Sequence, residues 1–133
     1  MITDYQQIPA TGATLTAATE VVVIVKVVES SPGGGAAQGR VIRGVLNATG
    51  GATGGAWSLK VRQGSTTSGT QVGTTDTITF PATTTISIPF SKQDLSAQGA
   101  GTYCVTLTAA GSNGTMNDGC LEVEVPAPFG VEE

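Results

Sequence analysis

The sequence contains no histidine and only two cysteines, and each shortage removes a class of chemistry. Without histidine, Ser-His and Cys-His nucleophilic catalysis and histidine-ligated metal sites are excluded. Two cysteines cannot form a four-cysteine zinc site or a disulfide-rich scaffold. The acidic residues Asp76, Asp94 and Asp118 fall in predicted turns, where Asp is a common turn former. We therefore assign no catalytic residue, no metal ligand and no cofactor, and we expect no enzyme.

Charged residues are scarce as well, at 12% of the 133 residues, with six basic against ten acidic side chains. The formal net charge of −4 argues against a nucleic-acid partner, because phosphate binding requires clustered Lys and Arg. No apolar run approaches the roughly 20 residues that a membrane-spanning helix needs. The first residues lack the basic and apolar regions of a secretory signal. We therefore expect synthesis in a cytosol and no membrane partner.

What the sequence does contain is short runs of apolar and β-branched residues separated by Gly-rich turns. The longest is a predicted strand at residues 19–29, in which seven of the eight residues at 21–28 are apolar, and such side chains pack well on a pleated sheet. Further strand-like segments lie at residues 14–18, 40–47, 57–62, 70–80, 83–90, 102–109 and 120–125. Short strands at such regular spacing, without a helical pattern, predict an all-β protein. We predict an antiparallel β-sandwich of about eight strands, jelly-roll-like, with an immunoglobulin-like sandwich as the alternative.

The predicted sandwich domain covers residues 14–125, between a polar N-terminal arm at 1–13 and a Pro-containing tail at 126–133. Tyr5 and Ile8 in the arm and Phe129 in the tail are candidate anchors for pockets on a neighbouring protein. The alternative is that both ends are disordered. Trp57 alternates with Leu59 and Val61, which favours packing in the core over a sugar-stacking platform.

The run at residues 19–29 has two apolar faces, because successive strand side chains point to opposite sides of a sheet. Val21, Val23, Val25 and Val27 form the face that we expect to line the core. Val22, Ile24 and Val28 form the other face. In a domain this small, we expect that second face to be an oligomer interface with another subunit.

The two cysteines are candidates for a disulfide. If the last two strands form a hairpin centred on Ser112, Cys104 lies directly opposite Cys120. Opposed Cβ atoms in a sheet are about 4.5–5.5 Å apart, which is close to the span that a disulfide bridges. The alternative is two free thiols in a protein made in a reducing cytosol.

Three segments resemble small β-sandwich structural proteins of tailed bacteriophage virions: RVIRGV at 40–45, WSLKVRQG at 57–64 and GTYCVTL at 101–107. The opening TGATLTAATE at 11–20 belongs to the same pattern. These proteins include head decoration and fibre modules, and many are trimeric. The resemblance implies a non-enzymatic capsid decoration protein on the virion surface, made in the host cytoplasm. Its implied partners are further copies of itself, with a homotrimer favoured, and the major capsid protein or another virion protein. The alternative is a carbohydrate- or receptor-binding module of a phage fibre or bacterial surface protein.

Overall fold

A computed structural model describes residues 2–8, 13–28, 40–95 and 101–125 of the chain. Within these ranges the backbone forms nine strands and no helix. The strands are β1 (Ile2–Ile8), β2 (Ala13–Leu15), β3 (Glu20–Val28), β4 (Arg40–Thr49), β5 (Gly55–Gln63), β6 (Gln71–Phe80), β7 (Thr85–Asp94), β8 (Gly101–Thr108) and β9 (Gly114–Val125). The predicted all-β class is therefore confirmed.

The strands form two antiparallel sheets, which we name sheet 1 and sheet 2. Sheet 1 has the order β1-β9-β4-β7, and the short β2 also pairs with β9. Sheet 2 has the order β3-β8-β5-β6. Strands that are adjacent in sequence mostly lie in different sheets or are separated by a strand from elsewhere, as in two interlocked Greek keys. This connectivity is that of a jelly roll, and it differs from the strand pairing of an immunoglobulin sandwich.

The core fills the space between the two sheets, and the aromatic pair Trp57 and Phe80 packs within it. Their ring centroids are 3.8 Å apart at an interplanar angle of 15°. Gly114 makes room for the indole, because a Cβ atom at that position would lie 2.2 Å from Trp57 Cη2. The prediction that Trp57 belongs to the core is confirmed, and burial rules it out as a sugar-stacking platform. Fully buried neighbours from both sheets complete the layer: Ile42, Leu46, Leu59, Val61, Val105, Leu107, Leu121 and Val123.

A β-bulge in β3 inverts the alternation of side chains that the sequence predicts. Val22 lies opposite Thr106 of β8, and Ile24 lies opposite the next residue, Val105, so Val23 is the extra residue. One inserted residue turns every later side chain of the strand to the other face of the sheet. The predicted faces therefore hold only for the part of β3 before the bulge.

Ile24 is consequently a core residue, 5% exposed, and its assignment to an outer interface is wrong. Val25 and Val27, which the sequence placed in the core, follow the bulge and lie on the outer face with Val22. Val27 is 62% exposed. Val28 ends the strand opposite Gly101.

The first residues of the chain extend sheet 1, whereas the sequence predicted an arm at 1–13. Strand β1 runs antiparallel to β9, with Tyr5 opposite Glu122 and Ile8 opposite Gly119. This strand was missed because residues 1–13 are mostly polar, and β1 forms an edge of sheet 1. The predicted tail at 126–133, including Phe129, lies outside the described residues.

The hairpin proposed for the last two strands does not form, because β8 and β9 belong to different sheets. Cys104 lies between Val25 and Arg62 on the outer side of sheet 2. Cys120 lies opposite Val45 on the outer side of sheet 1. Both cysteines are free, and the predicted Cys104–Cys120 disulfide is wrong, since the whole sandwich separates the two thiols.

Asp94 and Asp118 lie in strands rather than in the predicted turns, and Asp76 lies in β6, which matches the strand predicted at 70–80. Asp76 in β6 forms an ion pair with Lys92 of β7, with the carboxylate 2.7 Å from Lys92 Nζ. Gly73, with a φ of +74°, gives this lysine its space, because a Cβ there would lie 2.9 Å from Lys92 Cδ. Asp94 is buried at the end of β7, and Asp118 lies in β9.

Candidate assembly surface

The outer face of sheet 2 carries a row of valines on β3, which is one of the two edge strands of that sheet. Because of the bulge, Val22, Val25 and Val27 point outward together, and we call these three residues the valine ridge. Val27 is one of two large apolar side chains in the described part of the chain that are strongly exposed. A long, apolar edge strand is a surface that natural proteins usually cover.

Beside the valine ridge, an ion pair links side chains of neighbouring strands on the outer face of sheet 2. Arg62 of β5 binds Glu20 of β3 through two bonds, Nε to Oε2 at 2.7 Å and Nη2 to Oε1 at 3.0 Å. Thr106 of the strand between them donates to Glu20 Oε2 at 2.7 Å. The bond from Arg62 is the main reason that the pKa of Glu20 lies below its usual value, and the same bond raises the pKa of Arg62. Such a bidentate pair fixes both side chains across three strands.

The outer face of sheet 1 is acidic. Arg43 of β4 lies between Glu122 and Glu124 of β9 and pairs with both, at 2.5 Å and 2.8 Å. The bonds to Glu124 and then to Glu122 raise the pKa of the Arg43 guanidinium. Farther along the same two strands, Asn47 Nδ2 donates to Asp118 Oδ1 at 2.5 Å. Among the described side chains of this face, carboxylates therefore outnumber guanidinium groups.

A groove of about 360 Å³ crosses the outer face of sheet 1 beside these charges. Its lining includes Gly44, Val45, Phe90, Cys120 and Glu122. Gly44 is part of this lining, and the position admits no side chain, because a Cβ there would lie 2.0 Å from the carbonyl oxygen of Cys120. The floor is thus apolar, and the rim is charged.

A second polar feature lies inside one end of the sandwich, where charged side chains replace the apolar core. Tyr103 Oη donates to Asp94 Oδ2 at 2.5 Å and accepts from Arg40 Nη1 at 3.4 Å. Gln63 Nε2 donates to the same aspartate oxygen at 3.1 Å. Burial is the main cause that raises the pKa of Tyr103, followed by its bond to Asp94. All of these groups face one another, so the cluster ties four strands together.

A cavity of about 350 Å³ opens next to this cluster, between the ends of β6 and β7. Its lining includes Gln63, Gln71, Val72, Gln93 and Asp94. Amides and one carboxylate can hydrogen-bond hydroxyl groups. Among the described residues, no three His, Cys, Asp or Glu side chains meet to hold a metal ion.

Among the described side chains that the sequence assigned to a site, Val22 and Cys104 lie on the outer side of sheet 2, and Cys120 lines the groove on sheet 1. Val25 and Val27 were missed because a run of similar valines carries no mark of a bulge. The groove was missed because its lining joins residues of β4, β7 and β9, which lie far apart in the sequence. The one usable signal was glycine inside an alternating strand, which often marks close approach of another backbone.

No family model and no curated protein matches the sequence. Solved structures do match the fold. A particle derived from infectious bursal virus aligns with a TM-score of 0.63 at 10% identity, over 93% of this chain and 31% of that one. The VP2 subviral particle of infectious bursal disease virus aligns at 0.60 and 10% identity, over 93% and 33%. Latent PorU from Porphyromonas gingivalis aligns at 0.56 and 10% identity, over 91% and 12%.

The chain therefore spans about a third of the length of the viral chains that it matches. Identities this low show a shared fold and nothing about a shared activity. In the described ranges, no helix has the length and apolar character needed to cross a membrane. The comparisons place this chain among proteins that contain a jelly-roll β-sandwich.

Proposed function

We propose that this chain is a non-enzymatic structural subunit of a virion that associates with further copies of itself. The observation that carries the proposal is the valine ridge, an apolar row on the outer face of an edge strand, with Val27 62% exposed. A jelly roll that also occurs in the VP2 subviral particle supports the same role. No described feature requires catalysis.

The finer form of the proposal is a decoration or stabilising protein on the capsid of a tailed bacteriophage, docked on the major capsid protein. Its support is the resemblance of the three strand segments to small virion proteins and the size of the chain, about a third of the matched viral chains. A protein of this kind is made in the host cytoplasm and ends on the virion surface. The copy number that the sequence favours is three.

The test is a charge placed on the valine ridge. Val27→Glu adds a carboxylate at the most exposed position of the ridge. The isolated subunit tolerates this carboxylate because water solvates it, whereas a contact with another copy would bury the charge without a partner. We expect self-association to weaken at least tenfold, or about 1.4 kcal/mol. Sedimentation velocity over a concentration series measures the loss.

The matched control is Leu95→Glu, because Leu95 is 73% exposed at the end of β7, away from the ridge. This change introduces the same charge at an equally exposed apolar residue, so we expect association to stay within twofold of the unaltered protein. Equal weakening by both variants would mean that net charge, and not the ridge, governs association. A chain that stays monomeric before any change would reject the proposal.

The cavity beside Asp94 favours a second function, a carbohydrate-binding module. Gln71 and Gln93 line it with amides, the groups that recognise sugar hydroxyls. Glycan-array binding that is lost in a Gln71→Ala, Gln93→Ala double variant with an unchanged unfolding temperature would favour this function. An array without any bound glycan would reject it.

A further inference from the structure

We infer that copies of this chain contact one another through opposite faces, the outer face of sheet 2 in one copy lying on the outer face of sheet 1 in the next. The inference rests on the proposed self-association and specifies its geometry. It follows from the charges, the shapes and the directions of the two faces.

The charges of the two faces are complementary in the described residues. On sheet 1, the three carboxylates of Asp118, Glu122 and Glu124 face outward with the single guanidinium of Arg43, which leaves a net charge of −2. On sheet 2, the outward charges are Lys60, Arg62 and Glu20, which leave a net charge of +1. Opposite potentials attract, whereas a contact between two identical faces would place like charges together.

The shapes of the two faces are also complementary. The valine ridge stands on sheet 2 with Val27 projecting into solvent, and the groove on sheet 1 has the apolar side chains of Val45 and Phe90 in its lining. An apolar projection therefore meets an apolar recess, and the charges lie around both, as in the core and rim of an interface.

The contact is heterologous, since it joins two different patches of the same chain. The two faces lie on opposite sides of one sandwich and point in opposite directions. Repeating the contact therefore adds copies along a line and leaves the series open. In copy number, the inference departs from the trimer that the sequence favours, because three copies joined in this way cannot close a ring.

The test uses two variants with reversed charges on different faces. Lys60→Glu changes the sheet 2 face from +1 to −1, and the double variant Glu122→Lys, Glu124→Lys changes the sheet 1 face from −2 to +2. Each variant alone then presents faces of like charge, so we expect its self-association to fall at least tenfold. In an equimolar mixture every contact between different variants joins opposite charges. The mixture should regain association to within threefold of the unaltered chain.

An unfolding measurement and a control variant distinguish a loss of association from a loss of folding. The double variant gathers two lysines around Arg43, so its unfolding temperature is measured first. If it does not fold, Glu122→Gln with Glu124→Gln replaces it, and the expected loss is about threefold. Ala82→Glu adds a negative charge at an exposed residue of the β6–β7 loop, where the chain passes from sheet 2 to sheet 1 at an end of the sandwich, and should leave association unchanged.

Association of the unaltered chain with no recovery in the mixture would overturn the two-face contact while leaving self-association intact. A mass that stops at three copies would overturn it as well. An unaltered chain that does not associate at all would instead reject the proposed function, so the two failures are distinguishable. We expect the number of copies in the assembly to rise with concentration, and the equimolar mixture of the two variants to regain self-association.

Discussion

Tyr103 is the residue whose alteration tests the buried polar cluster most sharply. Its hydroxyl donates to Asp94 at 2.5 Å and accepts from Arg40 at 3.4 Å, deep between the two sheets. Replacing it with phenylalanine removes one oxygen and keeps the ring. The remaining aspartate and arginine lose a buried hydrogen-bond partner that water cannot easily replace.

The expected cost of Tyr103→Phe is about 2 kcal/mol, because a hydrogen bond to a charged group contributes about 1.5–3 kcal/mol. For a domain of this size, that cost corresponds to a fall of about 8 °C in the unfolding midpoint. Thermal and urea unfolding, followed by circular dichroism, measure both quantities. An unchanged urea slope would show that the denatured state is not affected.

A double-mutant cycle with Asp94→Asn separates the cluster from simple packing. If Tyr103 acts through Asp94, the two changes together should cost less than their sum, by about 0.5–3 kcal/mol. Additive effects, or a cost of Tyr103→Phe below about 0.5 kcal/mol, would refute the reasoning that this cluster stabilises the sandwich.

Two other outcomes follow from the ionisable groups on the outer faces. The pKa of Glu20 is lowered by Arg62, so its stabilisation is complete above the ordinary value of 4.5 and is lost as the pH falls through the lower folded value. At pH 7, Glu20→Gln should therefore have a lower free energy of unfolding than the unaltered chain. The difference between the two free energies should shrink below pH 4, and a difference that stays constant with pH would contradict this. Burial raises the pKa of Cys104, whereas Cys120 is partly exposed, so iodoacetamide should label Cys120 first. Equal labelling rates, measured by peptide mass spectrometry, would contradict the described burial.

The parts of the fold that depend on local alternation were predictable from the sequence. Trp57, Leu59 and Val61 occupy one parity of their strand, and all three are buried. Spacing of strands and turns likewise predicted a sandwich, because each strand buries one face. These features need no knowledge of which strands are neighbours.

The features that depend on non-local pairing were not predictable. Cys104 and Cys120 are sixteen positions apart in sequence but lie on opposite sides of the sandwich, since jelly-roll connections pass between sheets. The bulge at Val23 is set by the register with β8, so no pattern within β3 reveals it. Asp94 pairs with Arg40 at the end of β7, and its carboxylate accepts bonds from Tyr103 and Gln63, all of which lie far from it in the sequence or in other strands.

The most direct test of the account is the native mass of the unaltered full chain in reducing buffer, from low to high micromolar concentration. Self-association through the outer faces predicts species of two or more copies whose share rises with concentration and falls with added salt, because the faces carry opposite charges. A monomer that persists at every concentration and salt level would contradict the central claim.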